Sequence, residues 1–299
     1  MATTYTQIDS NVRRTWFLMF GFFIVVIFLG WAFSWIFGSS IILIIAVVIS
    51  VGMNIISYWY SDKIVLKVSG AKEITREEYR DLWNITENLC IATGMPMPKL
   101  YLIQDPSPNA FATGRNPENS VVAVTTGLME ILNRAELEGV IAHELAHIKN
   151  RDILLMTTVV VLVGFVTLLS DFFLRMTFFG GVGGGNRDGR AQLLMVLIGV
   201  VLAILAPFVA MIIKLAISRK REFLADASGA LMTRYSEGLA SALEKISSAN
   251  RPVKRANHAM AHMYISNPFG GKGRKMGFMD KLFMTHPPVE ERVRALRGV

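Results

Sequence analysis

His143-Glu144-Leu145-Ala146-His147 is a pattern with a chemistry attached. Residues four apart share one face of an α-helix, so both imidazoles can reach a single ion. Zinc accepts histidine nitrogen readily, and a catalytic zinc keeps three protein ligands and an open position for water. Glu144, beside the first histidine, is placed to polarise that water and take its proton. The implied chemistry is hydrolysis, and two histidines leave the metal one ligand short.

A third histidine soon after His147, preceded by glycine, would mark a metzincin, but Ile148-Lys149-Asn150-Arg151-Asp152 offers neither residue. The strongest candidate is Glu222, 75 positions beyond His147, in Ser218-Arg219-Lys220-Arg221-Glu222-Phe223-Leu224-Ala225-Asp226. Glu237, Glu244, His258 and His286 are the alternatives, and a surface glutamate paired with Arg219 or Arg221 is the non-functional reading. Asp226 lies one turn beyond Glu222 on the same face. A carboxylate there can hold the free N–H of His143 and fix its tautomer.

These residues need a helix and a scaffold. Asn133 is a good N-cap with Glu136 three positions on, so the histidine helix is expected from about Arg134 to Asn150. If it ran on unbroken, Ile153 would lie about 9 Å beyond His147. Leu82, Ile85, Leu89 and Cys90 form one stripe of a helix predicted over 73–93, ended by Gly94, Pro96 and Pro98. Leu100–Ile103 and Val121–Thr125 read as strands, and Asn109–Thr113 as an edge strand between them.

The surroundings are not those of a soluble domain. The 299 residues are 52% hydrophobic and only 18% charged, with a mean hydropathy of +0.42. No charged residue occurs from Thr15 to Ser61, and Gly38-Ser39-Ser40 divides that run into two spans. Ile153–Ser170 and Ala191–Ile213 are a third and a fourth, the last containing Pro207, which membrane helices tolerate. Arg13 and Arg14 precede a run too long for a signal-peptide core, so the first span reads as a retained anchor. The expected organisation is a hairpin (1–61), a first polar segment (62–152), a second hairpin (153–217) and a second polar segment (218–299).

The net charge of +8 is unevenly placed. Residues 62–152 carry ten Lys and Arg and residues 218–299 carry fifteen, whereas the loop between the last two spans has only Arg175, Arg187 and Arg190. Four spans put both polar segments on the side of the N-terminus, which the positive-inside rule makes cytoplasmic. Basic residues beside spans also attract anionic headgroups, so the partner implied is a lipid bilayer and no nucleic acid. Cys90 is the only cysteine, excluding an intramolecular disulfide.

Four signatures together resemble one family: His143-Glu144-x-x-His147, Glu222-x-x-x-Asp226, Asn109-Ala110-Phe111-Ala112 and Thr285-His286-Pro287-Pro288. They look like the HtpX family of bacterial membrane zinc proteases, gluzincins related to the CaaX prenyl proteases. The resemblance spans nearly the whole chain. It implies an α-helical membrane protein with four spans and a mainly α, partly β gluzincin-like domain carrying a small sheet. It implies one Zn2+ held by His143, His147 and Glu222, with Glu144 as catalytic base. His286 and Arg292 match the family's pair that steadies the developing oxyanion, and Asn109 and Ala110 its substrate-pairing edge. Without the resemblance, His286 reads as a loop residue and Arg292 as a solvated charge on the last helix. The expected activity is endopeptidase cleavage of misfolded or membrane proteins, in quality control and stress response, at the cytoplasmic face of the bacterial inner membrane. A homo-oligomer is compatible with the chain.

Other readings are less well supported. An intramembrane protease would need the histidine helix inside an apolar run, yet eight charged residues lie in or beside Asn133–Asp152. A scaffold with structural zinc would need a fourth protein ligand. A prenyl-peptide hydrolase rests on kinship alone. His258 and His262 repeat the four-residue spacing without an adjacent acid, and Gly180–Gly185 lacks the Lys-Ser or Lys-Thr of a phosphate loop.

Overall fold

The uncharged run, with eleven preceding residues that include Asp9, Arg13 and Arg14, folds into two antiparallel helices, α1 (Thr4–Phe37) and α2 (Ser40–Trp59). The reversal falls at Gly38, whose φ of 64° is a left-handed conformation that a side chain would resist. In this computed structural model residues 4–179, 219–249, 251–254, 260, 263–266 and 287–298 are described. Two helices among them, Ile8–Trp31 and Ser40–Trp59, are long and apolar enough to cross a bilayer. Phe17, Phe20, Ile44, Val48 and Ile55 point outward from them. So much exposed apolar surface suits lipid rather than water.

The third expected span begins a 28-residue helix, longer than the 18 apolar residues suggested. Its first turns are core. Leu155, Met156, Val159 and Val160 pack with Leu18 of α1 and with Phe111 and Tyr264. The fourth expected span, the 180–189 loop, His258, His262 and Gly270–Lys275 lie outside the described residues.

The polar domain begins with α3 (Ser61–Ser69) and a two-residue strand, β1 (Lys72–Glu73). The helix expected from 73 starts instead at Arg80, as α4 (Arg80–Thr93). Glu78 accepts from both the backbone N–H and the hydroxyl of Thr75, closing a local turn that competes with helix over 75–78. Strands β2 (Lys99–Ile103), β3 (Ala110–Gly114) and β4 (Ser120–Thr125) complete a sheet of order β1-β2-β4-β3. β2 and β4 are parallel and the other pairings antiparallel, with β3 at one edge. Alternate residues serve different layers: Leu100, Leu102, Ala112, Val122 and Val124 face one core, while Ile103, Phe111 and Ala123 face the membrane-side cluster.

After a short α5 (Thr126–Ile131) comes the histidine helix, α6 (Arg134–Lys149). The capping box forms as expected: Asn133 accepts from the N–H of Glu136, whose carboxylate accepts from the N–H of Asn133. Twelve of its sixteen residues are buried, so this is a central helix of a protein core, not one laid in lipid. It does not run on into the next helix. Arg151 adopts φ 58° and breaks the chain before α7 (Asp152–Phe179).

Two glycines let neighbours approach α6. Gly229, on α8 (Arg219–Thr233), lies so close that a Cβ would sit 3.0 Å from the backbone nitrogen of His143. Gly139 faces α9 (Ser236–Ala249), where a Cβ would fall 2.6 Å from the nitrogen of Leu239. Backbone cannot give way as a flexible side chain can. Gly139→Ala is therefore expected to destabilise the protein by about 1–3 kcal/mol, read as a lower melting temperature; an unchanged transition contradicts this packing. The last helix, α10 (Val289–Arg297), lies against α9.

Candidate metal centre

The histidine pair meets the third candidate ligand inside this core. His143 Nε2 and His147 Nε2 are 3.2 Å apart. Glu222 brings its carboxylate within 3.8 Å of the first and 3.6 Å of the second. The three ligand atoms all lie within 4.8 Å of one another. Tetrahedral zinc with bonds of about 2.0–2.2 Å separates its ligand atoms by roughly 3.3–3.5 Å, so the donor types and spacings fit that ion. Glu237 and Glu244, alternatives at the sequence level, are drawn away by Arg297, which binds both at the surface. His286 lies outside the described residues.

Both rings turn Nδ1 away from the shared space, toward a carboxylate. His143 Nδ1 stands 2.9 Å from Asp226 Oδ1, off the line of an ideal hydrogen bond. His147 Nδ1 is 3.0 Å from Asp152 Oδ2. An Nδ1–H held by a carboxylate leaves the Nε2 lone pair for an ion. Asp226 was legible as the acid one turn from Glu222. Asp152 was not, since five residues along a continuous helix places a side chain on another face; the break at Arg151 removes that obstacle.

Arg292 is fully buried, which corrects its reading as a solvated charge. Its Nε and Nη2 donate to the two oxygens of Asp226 at 2.8 and 2.7 Å. Nη1 donates to the Ile265 carbonyl at 3.2 Å and lies 3.9 Å from Glu222. A signal was present in the sequence: Val289, Arg292, Val293 and Leu296 share the inward stripe of α10.

Charge in this pocket is set by burial and by neighbours. Burial pushes Glu144 up to about 7, with Glu222 adding to the effect and His147 and Arg292 opposing it. The backbone N–H of Ala112, on β3, faces its carboxylate. Burial lowers His143 to about 4. Burial would lower His147 too, but Asp152, Glu222 and Glu144 outweigh it and raise that ring to about 9. For Asp226 burial acts upward, and Arg292 and His143 prevail, holding it at about 2. Cys90 is driven to about 11 by burial and is an inert core thiol.

Asn109 and Ala110 sit where β3 begins, and their polar groups are engaged. Asn109 Nδ2 donates to the Ser266 carbonyl, and Ser266 N–H to Asn109 Oδ1. Ala110 N–H donates to Asn109 Oδ1, and Ala110 C=O accepts from Ile265 N–H. By the ladder's alternation, the Ala112 carbonyl and Gly114 N–H also point outward, with no partner among the described residues.

A sequence model described as Peptidase family M48 matches residues 76–299. A "Protease HtpX homolog" of Dictyoglomus turgidum is 48% identical over 296 residues, covering 99% of this chain and 94% of its own. One from Caldanaerobacter subterraneus is 46% identical over 300 residues, 99% and 98% of the two chains. Among solved structures, that titled "Crystal Structure of S. mikatae Ste24p" superposes with a TM-score of 0.52 at 17% identity, covering 98% of this chain and 67% of that one. At that identity the likeness is one of fold. The family match over most of the chain and relatives nearly half identical along its whole length agree: the chain belongs to peptidase family M48 and is a membrane metalloprotease.

Proposed function

We propose that this is a zinc endopeptidase with one Zn2+ held by His143, His147 and Glu222. The observation that carries the reading is the convergence of those three groups within 4.8 Å in a buried cluster whose electrostatics Glu144 shares. Zinc, when bound, polarises the scissile carbonyl and lowers the pKa of a water. Glu144 takes the proton of that water as it attacks, then returns it to the departing amine. Its raised pKa suits both steps. Arg292, with His286, offsets the charge that develops on the carbonyl oxygen. Asp226 and Arg292 keep His143 turned, Nε2 inward.

An extended substrate pairs with the outer edge of β3 near Asn109 and Ala110. With Ala110 already engaged, the ladder runs along Ala112 and Gly114. The chain crosses the inner membrane four times, divided 1–61, 62–152, 153–217 and 218–299, with the site on the cytoplasmic side. Its substrates are misfolded or membrane proteins, and its role is in quality control and stress response. The apolar surface of α1 and α2 supports the membrane setting and the names of the relatives support a protease; the substrates, role and sidedness rest on the family resemblance and the distribution of basic residues.

Zinc titration of the metal-free protein tests the centre. A proton on His147, raised to about 9, occupies the lone pair an ion needs. Uptake near pH 7.5 should therefore release about one proton. Apparent affinity should climb roughly tenfold per pH unit from about 7, levelling as pH passes the ring's pKa. Calorimetry in buffers of different ionisation enthalpy reads this directly. Heats that do not depend on buffer, or an affinity flat from pH 7 to 9, count against a proton on His147 in the metal-free protein, whereas loss of zinc uptake in His147→Ala tests the ring as a ligand.

A further inference from the structure

Asp152 and Asn11 form a buried chain of contacts leading from the candidate metal centre to the first apolar helix. Asp152 Oδ2 holds His147 Nδ1 at 3.0 Å, and its other oxygen accepts from Asn11 Nδ2 at 2.6 Å. Asn11 Nδ2 also donates to the Asn150 carbonyl at 3.0 Å, and Arg221 Nη1 donates to Asn11 Oδ1 at 3.3 Å. Arg221 Nε is 3.7 Å from Asp152 Oδ1. Asn11 and Asp152 are each 1% exposed and Arg221 5%. Three segments far apart in sequence thus meet at one carboxylate: α1, the α6–α7 junction, and the residue preceding Glu222 on α8.

We infer that Asn11, acting through Asp152, is a positioning residue for His147, so that the N-terminal helix is a working part of the metal centre as well as an anchor. This rests on the zinc reading above. An ordinary structural role, such as tying off the end of α6, accounts for the bond to Asn150. It does not account for an Asp152 side chain shared between an amide from α1 and the ring nitrogen opposite the metal-facing one. A metal-binding histidine needs its second nitrogen held by an oriented acceptor, and loss of that acceptor typically weakens the metal 10–100-fold. Asn11 fixes the carboxylate that supplies it.

The test measures zinc affinity of the purified full-length protein by competition with a chromophoric chelator, per folded molecule. Asp152→Ala should weaken binding by about 10–100-fold and Asn11→Ala by about tenfold. The double variant should resemble Asp152→Ala alone, because the two act in series. Asp152→Asn still offers Nδ1–H an acceptor and should retain more affinity than Asp152→Ala. Thr15→Ala is the matched control: Thr15 is buried one turn along α1, and its hydroxyl donates only to the Asn11 backbone carbonyl. It should lower thermal stability without moving the affinity. If Asp152→Ala does not fold, Asn11→Ala against Thr15→Ala decides. Wild-type affinity in Asn11→Ala, with His147→Ala unable to hold zinc, overturns the inference and leaves the centre intact. Wild-type affinity in His147→Ala overturns the centre itself.

Discussion

Glu144→Gln is expected to lower cleavage of an unfolded polypeptide by about a thousandfold while leaving bound zinc unchanged. General base catalysis contributes roughly 10²–10⁴ in rate, and glutamine keeps the shape of glutamate while losing the ability to accept a proton. No candidate ligand is altered, and the substituted amide can still accept from the Ala112 N–H that faces the native carboxylate. Burial also favours the neutral side chain, so stability should hold or rise slightly. Zinc content, melting temperature and turnover measured on one preparation separate these effects. Turnover at the wild-type rate removes Glu144 from the chemistry, whereas loss of zinc makes it a structural member of the site.

Removing Arg292 has the largest expected effect on stability. Arg292→Met leaves the Asp226 carboxylate buried without the guanidinium that grips both its oxygens. Breaking a buried pair from one side costs about 3–5 kcal/mol, a large part of the 5–15 kcal/mol typical of a folded domain. The variant should melt far below the wild type. Arg292→Lys should fall between, because an ammonium cannot form the bidentate pair. Adding Asp226→Asn to Arg292→Met should recover part of the loss, since the stranded charge is then gone. A single variant as stable as the wild type contradicts the pairing. The same pair has a pH signature. Asp226 is depressed from 3.8 to about 2, so its stabilising contribution is fully present above about 4 and is lost as pH falls through about 2.

What could be read from the residues was what spacing along one helix dictates. His143 with His147, Glu222 with Asp226, and Asn133 with Glu136 lie three or four residues apart, and in the structure the first two sets converge around His143 while the third forms the cap. Contacts made across the chain left weaker traces. Asn11 and Asp152 are separated by 141 positions, and neither carries a local pattern. Arg292 could have been found from the apolar stripe it interrupts. The helix expected from residue 73 failed over its first seven residues, where β1 takes Glu73 and the Thr75–Glu78 turn competes with propensity. The third apolar run was recognised, but its opening residues serve as protein core beneath Phe111 and Tyr264 rather than as lipid contact.

The backbone groups at the β3 edge that are unpaired among the described residues would have a consequence for what can be digested, if substrates pair there as proposed. Its Ala112 carbonyl and Gly114 amide ask an incoming chain for one donor and one acceptor, not for a particular side chain. Helices and paired strands have already spent both on themselves. A polypeptide presents them only where its own order has failed, so on the proposed docking this edge would discriminate by lost structure rather than by residue identity.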